Sequence, residues 1–337
     1  MLADKIVAYE ESGELISVSP AQYKAEYPFL KEVDSLALSN EQMHLQSAYT
    51  NFFKKRARFP KFKSAKRSRK SYTTNNQRGT VVIVGNGIRL PKAGIVRAKI
   101  HRLPPNNWKL KSATISQSSD GKYYVSVLFE YNTDIMPVPV SDNAIGLDYA
   151  SDGLYVDSYG KEGSNHKYYR ESQKKLAKAQ RRLSRKQGSQ KNEPKSKNFL
   201  KQLAKVNRIH RHIANQRMDN LHKLSTEITN QYDTVCVEDL NMRAISNKDF
   251  GNGKATMDNG YGMFLCMLEY KLADRGKHFV KVDKWYPSSQ ICSRCGNKQK
   301  LSLSQRVYEC ACGLVIDRDL NAAINIRNEG LRILRAA

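Results

Sequence analysis

Three carboxylates stand at the ends of otherwise apolar runs, and their type and placement suit metal-assisted hydrolysis. In AIGLDYA, Asp148 follows Ile145, Gly146 and Leu147, so an acid lands in a strand that the pattern buries. In YDTVCVEDLNM, Glu238 follows Val235, Cys236 and Val237 at the mouth of a second buried strand. In GLVIDRDLNAAINI, Asp319 occupies the first turn of a helix whose Leu320, Ala323, Ile324 and Ile326 share an inward stripe. A buried, unpaired carboxylate is costly, and a divalent cation is the usual remedy. Three acids converging on one side of a sheet could hold two Mg²⁺ about 4 Å apart, activating water and stabilising a leaving oxygen; phosphodiester hydrolysis is the chemistry this serves. Any one of them alone would read as a helix cap or a strand end, but the set in so basic a chain does not. Asp317 suits an N-cap, and Asp239, two residues before Asn241 at a strand exit, suits turn capping.

A second chemical cluster lies just ahead of Asp319. Cys292-Ser-Arg-Cys295-Gly and Cys310-Ala-Cys312-Gly place four thiols in two tight pairs, each followed by glycine. Paired knuckles of this kind suit a closed tetrahedral Zn²⁺ with a structural role, although the second pair has one intervening residue where two are commoner. A redox pair is the competing reading, disfavoured because the two pairs come together. Cys236 and Cys266, flanked by apolar neighbours, are expected in the core.

These groups need a scaffold and a substrate. The 337 residues carry 57 Lys and Arg against 32 Asp and Glu, a net charge of +25, which points to a polyanionic partner. No apolar run approaches the roughly 18 residues of a membrane span, and no secretory leader is visible, so the expected compartment is the prokaryotic cytoplasm or nucleoid. The segment 161–223 is the most basic, with 19 Lys or Arg against Glu162, Glu171, Glu193 and Asp219. Apolar spacing through Leu176, Ala179, Leu183, then Leu200, Leu203, Val206, Ile209 and Ile213, broken at Gly188–Pro194, predicts a helical hairpin over 165–228. Its Lys174, Lys175, Arg181, Arg182, Arg185, Lys186, Arg208, Arg211 and Arg217 are expected along a nucleic-acid backbone, and His210 and His212 at solvent or phosphate. A second contact segment is read in Phe52, Phe53, Lys54, Lys55, Phe59, Lys61, Phe62 and Lys63, where aromatics alternate with cations. It follows a helix predicted from Ser39 or Asn40, with Met43, Leu45, Ala48, Phe52 and Phe53 as its apolar positions. Between residues 80 and 131, TVVIV, GIRLP, VRAKIHRL, KSATISQ and KYYVSVLFEY are separated by turn signals and predict a small antiparallel barrel or sandwich. After MPVPVSD, AIGLDYA and DGLYVDS open a new domain.

The order of these parts resembles the transposon-encoded TnpB family, RNA-guided relatives of the type V CRISPR nucleases. The resemblance rests on GLD at Asp148, VEDLN at Glu238, the CSRCG to CACG ribbon and DRDLNAAINI at Asp319. It extends through YPFLKEVDS, NFFKK, FPKFKS, RKSY, IRLPKAG and NQRMDNLHKLS, so it covers nearly the whole chain. It implies a multidomain α/β protein. A small helical recognition region (1–72) and a wedge-type β-barrel (73–140) would precede an RNase H-like, RuvC nuclease domain (141–337) interrupted by a zinc ribbon at 286–316. It also implies a guide RNA drawn from the transposon end, double-stranded target DNA beside a short DNA motif, and Mg²⁺-dependent cleavage with no small-molecule cofactor. By motif, Asp148, Glu238 and Asp319 match the catalytic trio. Asp319 is preferred to Asp317 because it stands two before the motif's Asn321, with Arg318 and Asn321 in support. Only 26 residues of different character precede YPFLKEVDS, shorter than the strand and helix usual there, so part of the wedge and recognition region is expected to be missing. Two other readings stand beside this one: a guided DNA-binding regulator with little or no cleavage, and a strand-transfer transposase using similar acids.

Overall fold

The computed structural model describes residues 1–14, 16–64, 68–164, 166–186, 195–247, 253–302 and 304–336. They form two compact units, Met1–Thr133 and Asp134–Ala337. The first opens with α1 (Leu2–Ser12) and α2 (Ser35–Phe53). The expected start of α2 at Ser39 or Asn40 is too late, because Asp34 is the cap, accepting from the backbone N–H of Leu36 (3.3 Å) and Ala37 (3.2 Å). Asn40 instead spends its amide on the Thr73 carbonyl at 2.8 Å, and Thr74 donates to Asp34. These bonds hook α2 to β1 (Ser71–Asn75), so the expected helical region and the strands after it make one unit.

The next strands are β2 (Val82–Val84), β3 (Gly87–Leu90), β4 (Gly94–Arg97), β5 (Lys109–Gln117) and β6 (Tyr123–Glu130). They pair as two three-stranded antiparallel sheets, β1-β5-β6 and β2-β3-β4, around a shared core of Val81, Ile88, Leu90 and Ala113. VRAKIHRL is strand only as far as Arg97, and RKSY leads directly into β1.

The second unit begins ahead of the expected boundary because the Val138 N–H donates to the Gly276 carbonyl (2.8 Å), which ties the Pro-rich link to the second unit. Its strands are β7 (Ala144–Tyr149), β8 (Tyr155–Asp157), β9 (Thr234–Glu238) and β10 (His278–Val282). Between β8 and β9 run α3 (Tyr168–Ser184) and the long α4 (Lys197–Gln231), which pack together. The expected break at Gly188–Pro194 lies outside the described residues. After β9 come α5 (Met242–Ile245), α6 (Gly253–Asn259) and α7 (Tyr261–Ala273). A hairpin of β11 (Val307–Glu309) and β12 (Val315–Asp317) then leads into α8 (Arg318–Ala336).

The main sheet has the order β10-β9-β7-β8, with β7, β9 and β10 parallel and β8 antiparallel to β7. Its pleat sorts the side chains. Ile145, Leu147, Val235 and Val237 join Leu221, Ile228, Phe264 and Leu268 of α4 and α7 in one core. The alternate positions, Gly146 with Asp148 and Cys236 with Glu238, belong to the face that α8 covers. Gly146 lets that helix approach: a Cβ there would lie 2.1 Å from the Ala323 carbonyl oxygen and 2.7 Å from the Arg327 nitrogen, both backbone atoms. Gly146→Ala is expected to cost roughly 1–3 kcal/mol, the overpacking range. A thermal melt of the variant, at least several degrees below the parent, checks it.

No helix among the described residues is long and apolar enough to cross a membrane.

Candidate active site and metal centre

Parallel register sets the first two acids side by side. Leu147 lies opposite Val237, so Asp148 and Glu238, each one residue further, leave adjacent strands at the same sheet edge. Ligands of open α/β sheets bind at this carboxyl edge. α8 crosses the same face and brings Asp319 in from its first turn; all three acids line one cavity of about 500 Å³. Asp317 is the cap of that helix, accepting from the N–H of Asp319 (2.9 Å) and Leu320 (3.0 Å). Asp239 is exposed, and the turn cap expected of it is supplied by Asn241, which accepts from the Ala244 N–H at 3.2 Å.

Burial, then the charges of Glu238 and Asp319, push the Asp148 carboxyl well above the usual range, with Arg318 opposing them. Burial also raises Glu238, against a hydrogen bond from the Ser288 hydroxyl at 2.5 Å. Asp319 faces two guanidinium groups, Arg318 at 3.2 Å and Arg306 at 3.8 Å. Clustered hard oxygen donors whose charges resist one another are a fit for a divalent cation, which would remove the burden on Asp148. Asp152 and Glu162 also line the cavity and add carboxylate to its rim.

The cysteines meet more closely. Among the described residues they are the group whose ligand atoms all lie within 4.8 Å of one another. Cys292 and Cys312 sulfurs are 3.7 Å apart, and those of Cys295 and Cys310 are 3.5 Å apart. A tetrahedral site with Zn–S bonds of about 2.3 Å has sulfur–sulfur edges near 3.8 Å, whereas a disulfide needs about 2.05 Å. The quartet therefore fits zinc and not a redox pair. Gly296 (φ 77°) and Gly313 (φ 83°) take the left-handed conformation that both knuckles turn on. Burial alone would raise the Cys292 thiol; the backbone N–H groups of Cys295 and Arg294, with neighbouring thiols, hold it down at about 6.

Asn321, expected to support the acids, serves the cysteine segment. It is fully buried, accepts from the Ser293 N–H (3.0 Å) and donates to the Ile291 carbonyl (2.7 Å). One turn on, Asn325 donates to the carbonyls of Ser288 (2.7 Å) and Ile291 (2.6 Å). Two asparagines of α8 thus clamp residues 288–293, and the clamp sets Ser288 on Glu238. Ser288, Arg306 and Asn325 were not singled out by sequence; the only signal was the four-residue spacing of Asn321 and Asn325.

The expected nucleic-acid contacts divide. Lys175, Arg182 and Arg208 line a cleft of about 400 Å³ between α3 and α4, joined by Lys178 and Lys205. Lys174, Arg181, Arg185 and Lys186 are exposed, and Arg211 is half-buried. Arg217 is withdrawn: it pairs at 3.3 Å with Asp258, an almost fully buried acid that needs a counter-charge and also accepts from the Tyr169 (3.1 Å) and Arg170 (3.4 Å) N–H groups at the start of α3. In the other segment Phe59 is engaged edge-on with Tyr49 (5.8 Å) and Phe52 (5.2 Å), and Lys63 pairs with Glu41. Phe62 is 68 % exposed, and Lys54, Lys55 and Lys61 are exposed. Cys266, expected in the core, is exposed on α7.

Two family models match the chain: OrfB_IS605, described as a probable transposase, over residues 126–249, and the Cas12f1-like TNB domain over residues 261–326. A Streptomyces pristinaespiralis protein named "Putative RNA-guided DNA endonuclease" is 38% identical over 91% of this chain and 74% of its own length. "Putative RNA-guided DNA endonuclease InsQ" of Escherichia coli (strain K12) is 33% identical over 92% of this chain and 78% of its own. A TnpB-like protein of Acanthamoeba polyphaga mimivirus is 32% identical over 38% of this chain and 25% of its own. A chain in the cryo-EM structure of a Cas12f1–sgRNA–target DNA complex superposes with a TM-score of 0.52 at 14% identity, covering 96% of this chain and 79% of that one. The fold is therefore a Cas12-like α/β nuclease fold.

Proposed function

Because this chain belongs to the TnpB family, we propose that it is an RNA-guided DNA endonuclease whose second unit is a RuvC-type, RNase H-like domain. The observation that carries the reading is the convergence of Asp148, Glu238 and Asp319 on one cavity from two adjacent parallel strands and the helix that covers them. Two Mg²⁺ held by these acids would supply a nucleophilic hydroxide at neutral pH and charge neutralisation at the leaving 3′-oxygen. Ser288 orients Glu238, while Arg318 and Arg306 give the cavity positive charge for a scissile phosphate. The proposed partners are a guide RNA drawn from the transposon end and double-stranded target DNA. The cleft of Lys175, Lys178, Arg182, Lys205 and Arg208 would hold phosphates, and Zn²⁺ on the four cysteines would be structural.

The test is to sequence the RNA that copurifies with the protein, then offer the loaded complex matched target DNA with Mg²⁺. Cutting that requires the match, and that Asp148→Ala abolishes, is the expected result; bound but uncut target under Mg²⁺ and Mn²⁺ makes the protein a guided binding regulator instead. The description of the 126–249 match as a transposase favours a second reading, strand transfer. Joining of a labelled transposon end in the absence of RNA would establish it over guided cleavage.

A further inference from the structure

The turn that leaves β10 holds an indole out in water. Trp285 is 80 % exposed, more than any other large apolar side chain among the described residues. Its backbone is well fixed: the Trp285 N–H donates to the Asp283 carboxylate (2.7 Å), the Tyr286 N–H to the Asp283 carbonyl (2.9 Å) and the Ser288 N–H to the Tyr286 carbonyl (2.8 Å). Tyr286 packs against the buried cluster of Cys236, Val280, Val282 and Ile326 at the α8 side of the sheet. The ring is therefore presented on a built turn whose base is anchored.

The turn is also bracketed by the catalytic strand. Three residues before Trp285, Val282 lies in register with Glu238 and accepts from the Asp239 N–H at 2.9 Å. Three residues after it, Ser288 donates to the Glu238 carboxylate. At the ring stands a cation: the Lys284 ammonium is 5.1 Å from the ring centroid, and the neighbouring Asp283 carboxylate accepts from the turn's own backbone. The charge nearest the ring is an ammonium, which favours a phosphate-bearing partner over an apolar peptide. A π-face beside an ammonium is what an unpaired nucleotide uses, base on ring and phosphate on cation.

We propose that Trp285 is the stacking platform for an unpaired base of the DNA strand whose phosphate enters the Asp148–Glu238–Asp319 cavity. This rests on the nuclease reading above and adds a positioning residue to it. Every base has a π-face, so the platform sets the strand's position and confers no base preference.

The chain has two tryptophans, Trp108 and Trp285, and Trp108 is stacked on Tyr131 at 4.2 Å. In Trp108→Phe, Trp285 is the sole indole. Its emission is expected to be quenched when the RNA-loaded protein, made cleavage-dead with Asp148→Asn, binds matched DNA. A short oligothymidylate should quench it without a guide, whereas an abasic oligonucleotide of equal charge should not. Equal quenching by both, or by neither, overturns the proposal. In the cleaving protein, Trp285→Ala should weaken cleavage at limiting target roughly 10- to 100-fold, the range of one lost base stack. Trp285→Phe should restore most of it, and the melting temperature of both should match the parent. Unaltered cleavage by Trp285→Ala also overturns it. Failure of the unsubstituted complex to cut matched DNA would sink the nuclease reading separately, and the oligothymidylate titration would still decide whether Trp285 takes a base.

Discussion

Asp148→Asn is expected to abolish DNA cleavage while making the metal-free protein more stable. Loss of a metal-binding carboxylate removes several kcal/mol of transition-state stabilisation; about 4 kcal/mol corresponds to roughly 10³-fold in rate. The gain in stability comes from the same side chain. Its carboxyl is pushed up by burial and then by Glu238 and Asp319, so folding without metal opposes its ionisation. A group whose folded value is raised contributes most below its unfolded value of about 3.9 and loses that contribution as pH rises through the folded value. Metal-free protein should therefore lose stability across that interval, and the uncharged amide of the Asp148→Asn variant should flatten the slope. Each ~1 kcal/mol relieved at neutral pH raises the melting temperature by about 2–4 °C in a domain of this size. Cations act in the opposite direction on the parent: Mg²⁺ binds the ionised acids, so it should stabilise the parent more as pH rises and act only weakly on Asp148→Asn. Thermal melts of both proteins from pH 4 to 8, with and without Mg²⁺, together with guided cleavage, check this. A variant that melts below its parent without metal would show that Asp148 holds the fold instead of straining it.

Such a trade between charge and packing explains how far the site was legible in the amino-acid sequence. Asp148 and Glu238 could be found because each interrupts a run whose period buries its neighbours, and parallel register then sets them at one edge. Asp319 was preferred to Asp317 through the resemblance to the family motif, whose acid stands two before the asparagine, and the structure gives Asp317 the helix cap. What could not be read depends on segments that meet only in three dimensions. Ser288 touches Glu238 across 50 residues, and Arg306 reaches Asp319 from the cysteine segment. Nothing in Pro-Ser-Ser-Gln announces the first contact, nor in Ser-Gln-Arg-Val the second. Asn321 was expected in support of the acids from the family motif, yet two residues along a helix turn a side chain to another face, here toward Ile291 and Ser293. The same geometry misplaced Cys266. Its neighbours Leu265 and Met267 are apolar, but α7 buries Phe264, Met267, Leu268 and Leu272, the stripe of a helical period, and residue 266 falls outside it. At α2, Ser39, Asn40 and Asp34 are equally good cap residues by type. Asp34 took the role because Asn40 and Thr74 build the joint to β1, a tertiary demand that local propensity does not record.

Removing the zinc proposed for the cysteine quartet should have the second largest effect, and it should reach the acids through the α8 clamp. The hairpin of β11 and β12 has three residues per strand, and Cys292 and Tyr308 are the buried apolar residues of this segment. A two-stranded hairpin of that size is marginal in water. Zinc bound to four thiolates contributes roughly 10–16 kcal/mol in small peptides, as much as the whole stability of an ordinary domain. Cys295→Ser is therefore expected to unfold residues 286–316 locally. The core between the sheet and α7 has no contact of this kind to lose and should stay folded. The loss would spread by a definite route. Asn321 and Asn325 hold Ile291, Ser293 and Ser288 only while that segment keeps its shape, and Ser288 and Arg306 are the groups it delivers to Glu238 and Asp319. Hydrogen exchange and limited proteolysis should show new exposure confined to 286–316, with zinc stoichiometry falling from about one per chain and guided cleavage falling with it. Cys310→Ser should reproduce the pattern, since its sulfur is the one paired with Cys295 at 3.5 Å. Zinc-free protein with an unchanged proteolytic pattern would rule out a structural metal. Local unfolding with undiminished cleavage would separate the two centres and leave the acids independent of the clamp.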